Sequence, residues 1–190
     1  AAPPDTDVRP AKFDYTMTTL QNGLQVVFLE DHSTPIVHLA LWYHVGSKDE
    51  QPGQTGLAHL FEHLMFEGAL HQPHGYFEPL QRAGAALNGS TSPDRTNYWE
   101  TVPTSALRRA LWMEADRMGW MAPALTEARF QTQRGVVLNE RRQSYENRPY
   151  GRAQFALHRA LFPIGHPYRW PTIGLTADLE RATLDRAQAF

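Results

Sequence analysis

The sequence predicts an α+β fold, a mainly antiparallel sheet with helices packed on one face. Strand signals crowd the first half of the chain, helical patterns dominate the second, and neither a βαβ alternation nor an internal repeat connects them. With 190 residues, 42% of them hydrophobic, the chain can bury one sizeable core.

Residues 1–12 carry prolines and charges without periodicity and read as a flexible arm, so a single domain is expected over 13–190. Asn22-Gly23 lies between Tyr15–Leu20 and Leu24–Leu29, a strong hairpin signal. From Ile36 to Val45 the residues alternate, with Val37, Leu39, Leu41, Tyr43 and Val45 on one face and His38, Trp42 and His44 on the other, as in a sheet strand. After the breakers Gly46, Pro52, Gly53 and Gly56, an apolar helix is expected from Leu57 to about Phe66, closed by Gly68.

A short helix follows at Tyr76–Ala83, then a second hairpin of Leu87–Ser92 and Thr96–Val102 joined by Pro93-Asp94. Thr104 is expected to cap a helix reaching Trp120, and Thr126 one reaching Asn147. Two more helical patterns occupy Arg152–Leu161 and Thr176–Ala189.

Several function classes are excluded at once. Eighteen basic residues against twenty acidic ones, with no Lys/Arg run longer than two, argue against a nucleic-acid partner. No apolar run is long enough for a membrane-spanning helix. The absence of cysteine removes thiolate metal sites and cysteine nucleophiles, so a metal would be held by nitrogen or oxygen. Ala1-Ala2-Pro3-Pro4 suits a mature end left after an export signal is cleaved, which points to the periplasm. The mitochondrial matrix is the alternative, although the proline-rich, arginine-poor start does not look like a transit peptide.

His59-Leu60-Phe61-Glu62-His63 carries the chemistry. Histidines four apart on a helix project from one face, so both imidazoles can reach one ion. At 100° per residue, Glu62 lies about 60° to one side of His59 and His63 about 40° to the other. The carboxylate thus neighbours the metal without having to bind it. A catalytic zinc commonly takes three protein ligands and leaves a position for water. Glu140 is the candidate third: on a helix it shares a face with Gln133, Val136 and Val137, and an ionised carboxylate on an apolar face calls for a metal or a cationic partner. Arg141 and Arg142 lie on other faces and are poor partners for it. Two histidines one turn apart also arise by chance, and Glu140 could pair with an arginine from elsewhere. The other seven histidines are scattered through strands and loops and read as structural or solvated.

These residues resemble the pitrilysin and insulinase type of inverted-motif zinc peptidases, which includes the mitochondrial processing peptidases and bacterial relatives. The similarity runs through Leu20-Gln21-Asn22-Gly23-Leu24, Gly46-Ser47 with Glu50, and Thr55 to Gly68 around the histidine pair. It continues through Leu87 to Ser92, Thr96-Asn97-Tyr98, Glu114 to Met118, Val137-Leu138-Asn139-Glu140, His166-Pro167-Tyr168 and Pro171 to Gly174. The 76 residues between His63 and Glu140 resemble the family's spacing to its third ligand.

The resemblance implies a half-clamshell metallopeptidase domain with His59, His63 and Glu140 as Zn2+ ligands and Glu62 as general base. It also implies that Asn88, Gly89, Ser90 and Thr91 form a sheet edge on which a peptide substrate lies as an added strand. A second similar domain or subunit would close the chamber. Where family members commonly carry another glutamate, one heptad before the distal ligand, this sequence has Gln133. A further strand and helix would be expected after Phe190, so the chain is expected to be one piece of a longer protein. Two other readings stand beside the peptidase: a non-catalytic partner subunit of the same fold, and a structural zinc protein whose site is closed by four ligands.

Overall fold

The computed structural model describes residues 13–190, so the arm expected at 1–12 lies outside the described residues. The chain divides into two compact units, Ala1–Pro35 and Ile36–Phe190.

In the first unit, β1 (Thr16–Thr19) and β2 (Gln25–Phe28) pair antiparallel, with Thr19 opposite Gln25 and Thr16 opposite Phe28. Gly23, at φ 87°, takes the left-handed conformation that the turn needs, and Asn22 Oδ1 accepts a hydrogen bond from Leu24 N at 3.2 Å. The hairpin is where its Asn-Gly signal predicts it, with each strand two residues shorter. It forms a two-stranded sheet of its own, so the single sheet expected from the sequence is divided into two.

In the second unit, β3 (Ile36–Tyr43), β4 (Ala86–Thr91) and β5 (Thr96–Pro103) form an antiparallel sheet in the order β3-β5-β4. Along β3 the half-buried Val37, Leu39, Leu41 and Tyr43 alternate with exposed residues, as predicted. The central strand β5 buries Thr96, Asn97, Tyr98, Glu100 and Val102.

Seven α-helices complete the unit: α1 (Leu57–Leu64), α2 (Phe77–Gln81), α3 (Leu107–Ala124), α4 (Glu127–Arg141), α5 (Ala153–Leu161), α6 (Thr176–Arg181) and α7 (Leu184–Ala189). Several boundaries correct the sequence reading. α1 stops at Leu64, because Phe66 N turns to His63 O at 3.1 Å and tightens the chain; Gly68, at φ 105°, shapes the next turn instead of closing the helix. Thr104 opens a 3-10 turn and makes no side-chain cap, and α3 starts at Leu107 and runs on to Ala124. Thr126 does cap α4, its Oγ1 accepting from Arg129 N at 3.3 Å. α4 gives way at Arg142 to a π-helical turn through Glu146. The single helix expected over 176–189 breaks at Ala182, which is extended, because Thr183 accepts from Arg186 N and starts α7.

The main core gathers Leu60 and Leu64 of α1, Tyr98 of β5, Phe130 and Val137 of α4, and Leu179 of α6. A second cluster joins Tyr76, Leu80, Val102, Ala110 and Met113. Between them the buried Arg117 pairs with Glu114, which also accepts the Tyr76 hydroxyl at 2.6 Å. The guanidinium sits 4.0 Å from the Tyr76 ring centre and 4.3 Å from that of Tyr98, so its charge is answered by a carboxylate and two aromatic faces.

The buried line of α4 is Phe130, Val137 and Arg141, not the expected line through Val136, which is 42% exposed. Measured from Phe130, Glu140 lies roughly 80° round the helix and Val136 roughly 120°. Glu140 is therefore at the margin of the packed face. Phe130→Ala should cost about 3–5 kcal/mol in chemical denaturation, whereas Val136→Ala should stay within about 0.5 kcal/mol.

Candidate metal centre

α1 is held at its start by three devices. Gly56 (φ 92°) packs so tightly on Gly174 that a Cβ would lie 2.9 Å from Gly174 Cα, a close approach only glycine permits. Thr55 is pinned to the buried Asp178, its hydroxyl donating at 2.7 Å. Glu50 Oε1 accepts from Ala58 N at 2.9 Å, satisfying a free amide of the first turn. With Leu57, Ala58, Leu60 and Leu64 buried, the orientation of the remaining faces of α1 is set.

His59 and His63 then stand one turn apart, with ring centres 4.8 Å from each other. Glu140 reaches them from α4: its Oε2 lies 3.7 Å from His59 Nε2 and 3.4 Å from His63 Nε2. The three donor atoms fall within 4.8 Å of one another, and among the described residues this is the one His/Asp/Glu group of three or more that converges in this way. Burial, joined by the His63 charge and opposed by Glu140, pushes the His59 imidazole down to about 4, so it is neutral at physiological pH. A hydrogen bond from His63 and the nearby imidazole charges hold the Glu140 carboxyl below its ordinary range, outweighing the opposing effect of its partial burial.

This donor set fits a zinc ion. Zinc bonds of about 2.0–2.1 Å in tetrahedral geometry separate neighbouring donors by roughly 3.3 Å, close to the 3.4 and 3.7 Å found. His59 Nδ1 is buried without a partner among the described residues, so the ring's polar engagement is the convergence of Nε2 on Glu140.

Glu140 is selected for a different reason than its predicted burial. Its side chain is 40% exposed, and the cost of burying a charge does not single it out; the approach of both imidazoles does. Arg141 and Arg142 are engaged elsewhere, as expected: Arg141 Nε donates to Thr176 Oγ1 at 2.8 Å and Arg142 Nη2 to Asn139 Oδ1 at 2.6 Å.

Glu62 projects from α1 toward β4. Its Oε2 accepts the Thr91 hydroxyl, and its Oε1 lies over Gly89, where an added Cβ would come within 3.1 Å. Burial raises its carboxyl above the ordinary range, while the Thr91 hydrogen bond and the His63 charge pull the other way. The predicted Asn88–Thr91 segment is the end strand of its sheet, as an added strand would require. Only Gly89 and Thr91 meet Glu62. Ser90 donates to Asn97 Oδ1 at 2.7 Å, and the exposed Asn88 bonds the amide of Gly89 at 2.9 Å.

Two partners leave no signal in the sequence. The Thr91 hydroxyl belongs to Glu62, a contact between distant segments with no local signal. Gln133 Nε2 donates to Glu67 Oε1 at 2.5 Å, so the position of the missing glutamate is filled by an amide matched to an acid four residues after His63. The i, i+4 step from His63 to Glu67 was legible; its partner was not.

A helix presenting two histidines to a carboxylate of a second helix, and a carboxylate of its own to the edge of an antiparallel sheet, defines a peptidase-type α+β domain. The family described as Insulinase (Peptidase family M16) matches residues 25–169, and this chain belongs to it. The chain is 35% identical over 174 residues to the zinc protease PqqE of Helicobacter pylori, a match covering 90% of this chain and 38% of that protein. It is 34% identical over 125 residues to the mitochondrial-processing peptidase subunit beta of Bos taurus, covering 65% of this chain and 25% of that protein. Among solved structures it resembles a protease from Helicobacter pylori, with TM-score 0.86, 33% identity, and coverage of 93% of this chain and 42% of that one. The chain thus spans well under half the length of these relatives.

Two outcomes are expected here. His59→Ala and His63→Ala should each lower zinc affinity at least about 100-fold in metal titrations, while Glu62→Gln should bind zinc as the parent does. Burial raises the Glu50 carboxyl to about 8 in the fold, against an ordinary 4.5. The native state then binds more protons than the unfolded one across that window, so stability should fall as pH rises from about 5 to 8, by at most about 1.4 kcal/mol per unit. Glu50→Gln should flatten that slope in denaturation measured against pH.

Proposed function

We propose that the chain is the catalytic domain of a zinc-dependent endopeptidase acting on peptides or unfolded polypeptides. The carrying observation is the convergence of His59, His63 and Glu140 beside a carboxylate, Glu62, that is held separately by β4. When bound, zinc supplies Lewis acidity toward a water and the scissile carbonyl.

The rest is work for the chain's own groups. Glu62 accepts a proton from the attacking water on its free oxygen and returns it to the amine that leaves, a role suited by a carboxyl raised above its ordinary range. β4 offers the docking edge. Ser92 N bonds Arg95 O at 2.9 Å to close the hairpin, and by the alternation of an antiparallel ladder Leu87, Gly89 and Thr91 turn their main-chain groups away from β5. An extended peptide adding there passes directly by Glu62.

A structural zinc site is disfavoured because among the described residues three ligands converge rather than four, and because Glu140 faces solvent in part. A non-catalytic partner subunit is disfavoured because all four reactive groups are retained. The short span relative to the relatives supports a second similar domain or subunit that closes the chamber. The periplasm is the proposed compartment, as in the name of a similarly folded Escherichia coli protease, with the mitochondrial matrix as the alternative, after the mitochondrial-processing relative.

The test is cleavage of an unstructured peptide by the whole protein with its partner half, beside its zinc content. Glu62→Gln should keep zinc and lose turnover by about 100-fold or more. Cleavage at the parental rate by that variant would remove the general-base assignment; zinc binding without cleavage by the parent would favour the partner-subunit reading.

A further inference from the structure

Glu62 is 9% exposed, and among the described residues the Thr91 hydroxyl is the one hydrogen-bond partner of its carboxylate. Among the described residues no arginine or lysine is bonded to it, although the charge of Arg95 acts on it from a distance. A carboxylate on a long side chain has several rotamers, and a single hydroxyl selects among them. The opposite oxygen lies above Gly89, whose missing side chain leaves the space the carboxylate occupies.

Both ends of the Thr91–Glu62 contact are braced by one segment. Ser47 N and Lys48 N donate to Ser92 O and Pro93 O at 3.1 and 2.9 Å, tying the tip of the β4–β5 hairpin to the chain leading into α1. Gly46 lies so close to that tip that a Cβ would fall 2.4 Å from Ser92 O. Two residues beyond Lys48, Glu50 holds the first turn of α1 through Ala58 N. Within the hairpin, Arg95 Nη1 donates to Ser90 O at 2.9 Å and to Asn97 Oδ1 at 2.7 Å, which stiffens the strand just before Thr91. Thr91 is β-branched, so its own χ1 is restricted. The hydroxyl is therefore a fixed point, and the carboxylate is the mobile group it settles.

We propose that Thr91 is the positioning residue of Glu62, its hydroxyl occupying one carboxylate oxygen so that the other stays aimed at the reacting water. The inference rests on the peptidase reading, and it gives Thr91 a role distinct from contacting the substrate main chain. It also links docking to chemistry: the strand that receives the peptide is the strand that holds the base.

The experiment compares Thr91→Val, an isostere without the hydroxyl, with Thr91→Ser, which keeps it, in the whole protein with its partner half. Thr91→Val should retain zinc content and melting temperature, leave KM within about twofold, and lower kcat by about 10–100-fold. Thr91→Ser should recover kcat to within about threefold of the parent. In a Glu62→Gln background, Thr91→Val should add no further loss of kcat and leave the dissociation constant of a fluorescent unstructured peptide unchanged. Unchanged kcat in Thr91→Val, failure of Thr91→Ser to rescue, or a rise in KM and in peptide dissociation constant without a fall in kcat would overturn the proposal. Should Thr91→Val fail to fold, Thr91→Ser and Thr91→Ala decide between the same outcomes, since only the former keeps the hydroxyl. Failure of the peptidase reading shows separately, as zinc binding without cleavage by the parent protein, and failure of the general-base assignment shows as parental cleavage by Glu62→Gln alone.

Discussion

α1 has two neighbours to satisfy at once, and the site depends on that constraint. Its apolar residues Leu60 and Leu64 are fully buried in the core shared with Phe130 and Val137 of α4 and Tyr98 of β5. Burying a leucine is worth on the order of 2 kcal/mol, so rotating the helix to relocate any one polar group would expose more than it gains. The polar groups are accordingly where the core leaves them: two imidazoles toward α4 and one carboxylate toward β4.

This arrangement separates two acids that could otherwise compete for one cation. Glu140 sits at the margin of the α4 packing face and is partly exposed, within reach of both imidazoles. Glu62 is more buried and is engaged by a hydroxyl. Their environments push their carboxyls in opposite directions, Glu62 up by desolvation and Glu140 down by the histidines, so the two acids are electrostatically distinct. The pairing of Gln133 with Glu67 continues the same α1–α4 contact by a neutral donor and an acid, so substituting an amide for the usual glutamate leaves no like charges facing one another there.

Rigidity around α1 has a recognisable basis. Glycines at 56 and 174 bring two backbones into contact, Thr55 is locked to buried Asp178, and the 46–48 segment is bonded to the hairpin tip. Buried Arg117, with Glu114, Tyr76 and Tyr98, fills the space behind β5. Productive catalytic geometry tolerates little displacement, and these contacts fix the two elements between which the chemistry is proposed to occur.

Local chemistry was enough to read much of this protein. The Asn-Gly turn, the alternation along β3, the Thr126 cap and the i, i+4 histidine pair each depend on neighbours in sequence, so each was legible in the amino-acid order alone. The break at Ala182 was local as well, signalled by Thr183, but it was hidden within a longer helical pattern. What the order could not supply was the phase of α4, which buries Val137 and leaves Val136 exposed, because that depends on which helix packs against it. Nor could it join Thr91 to Glu62 or Gln133 to Glu67, since hydrogen bonds between distant segments leave no periodic trace. The residues able to bind a metal were thus determined by sequence, while their convergence, and the choice of which carboxylate meets the histidines and which meets the sheet, was decided by tertiary packing.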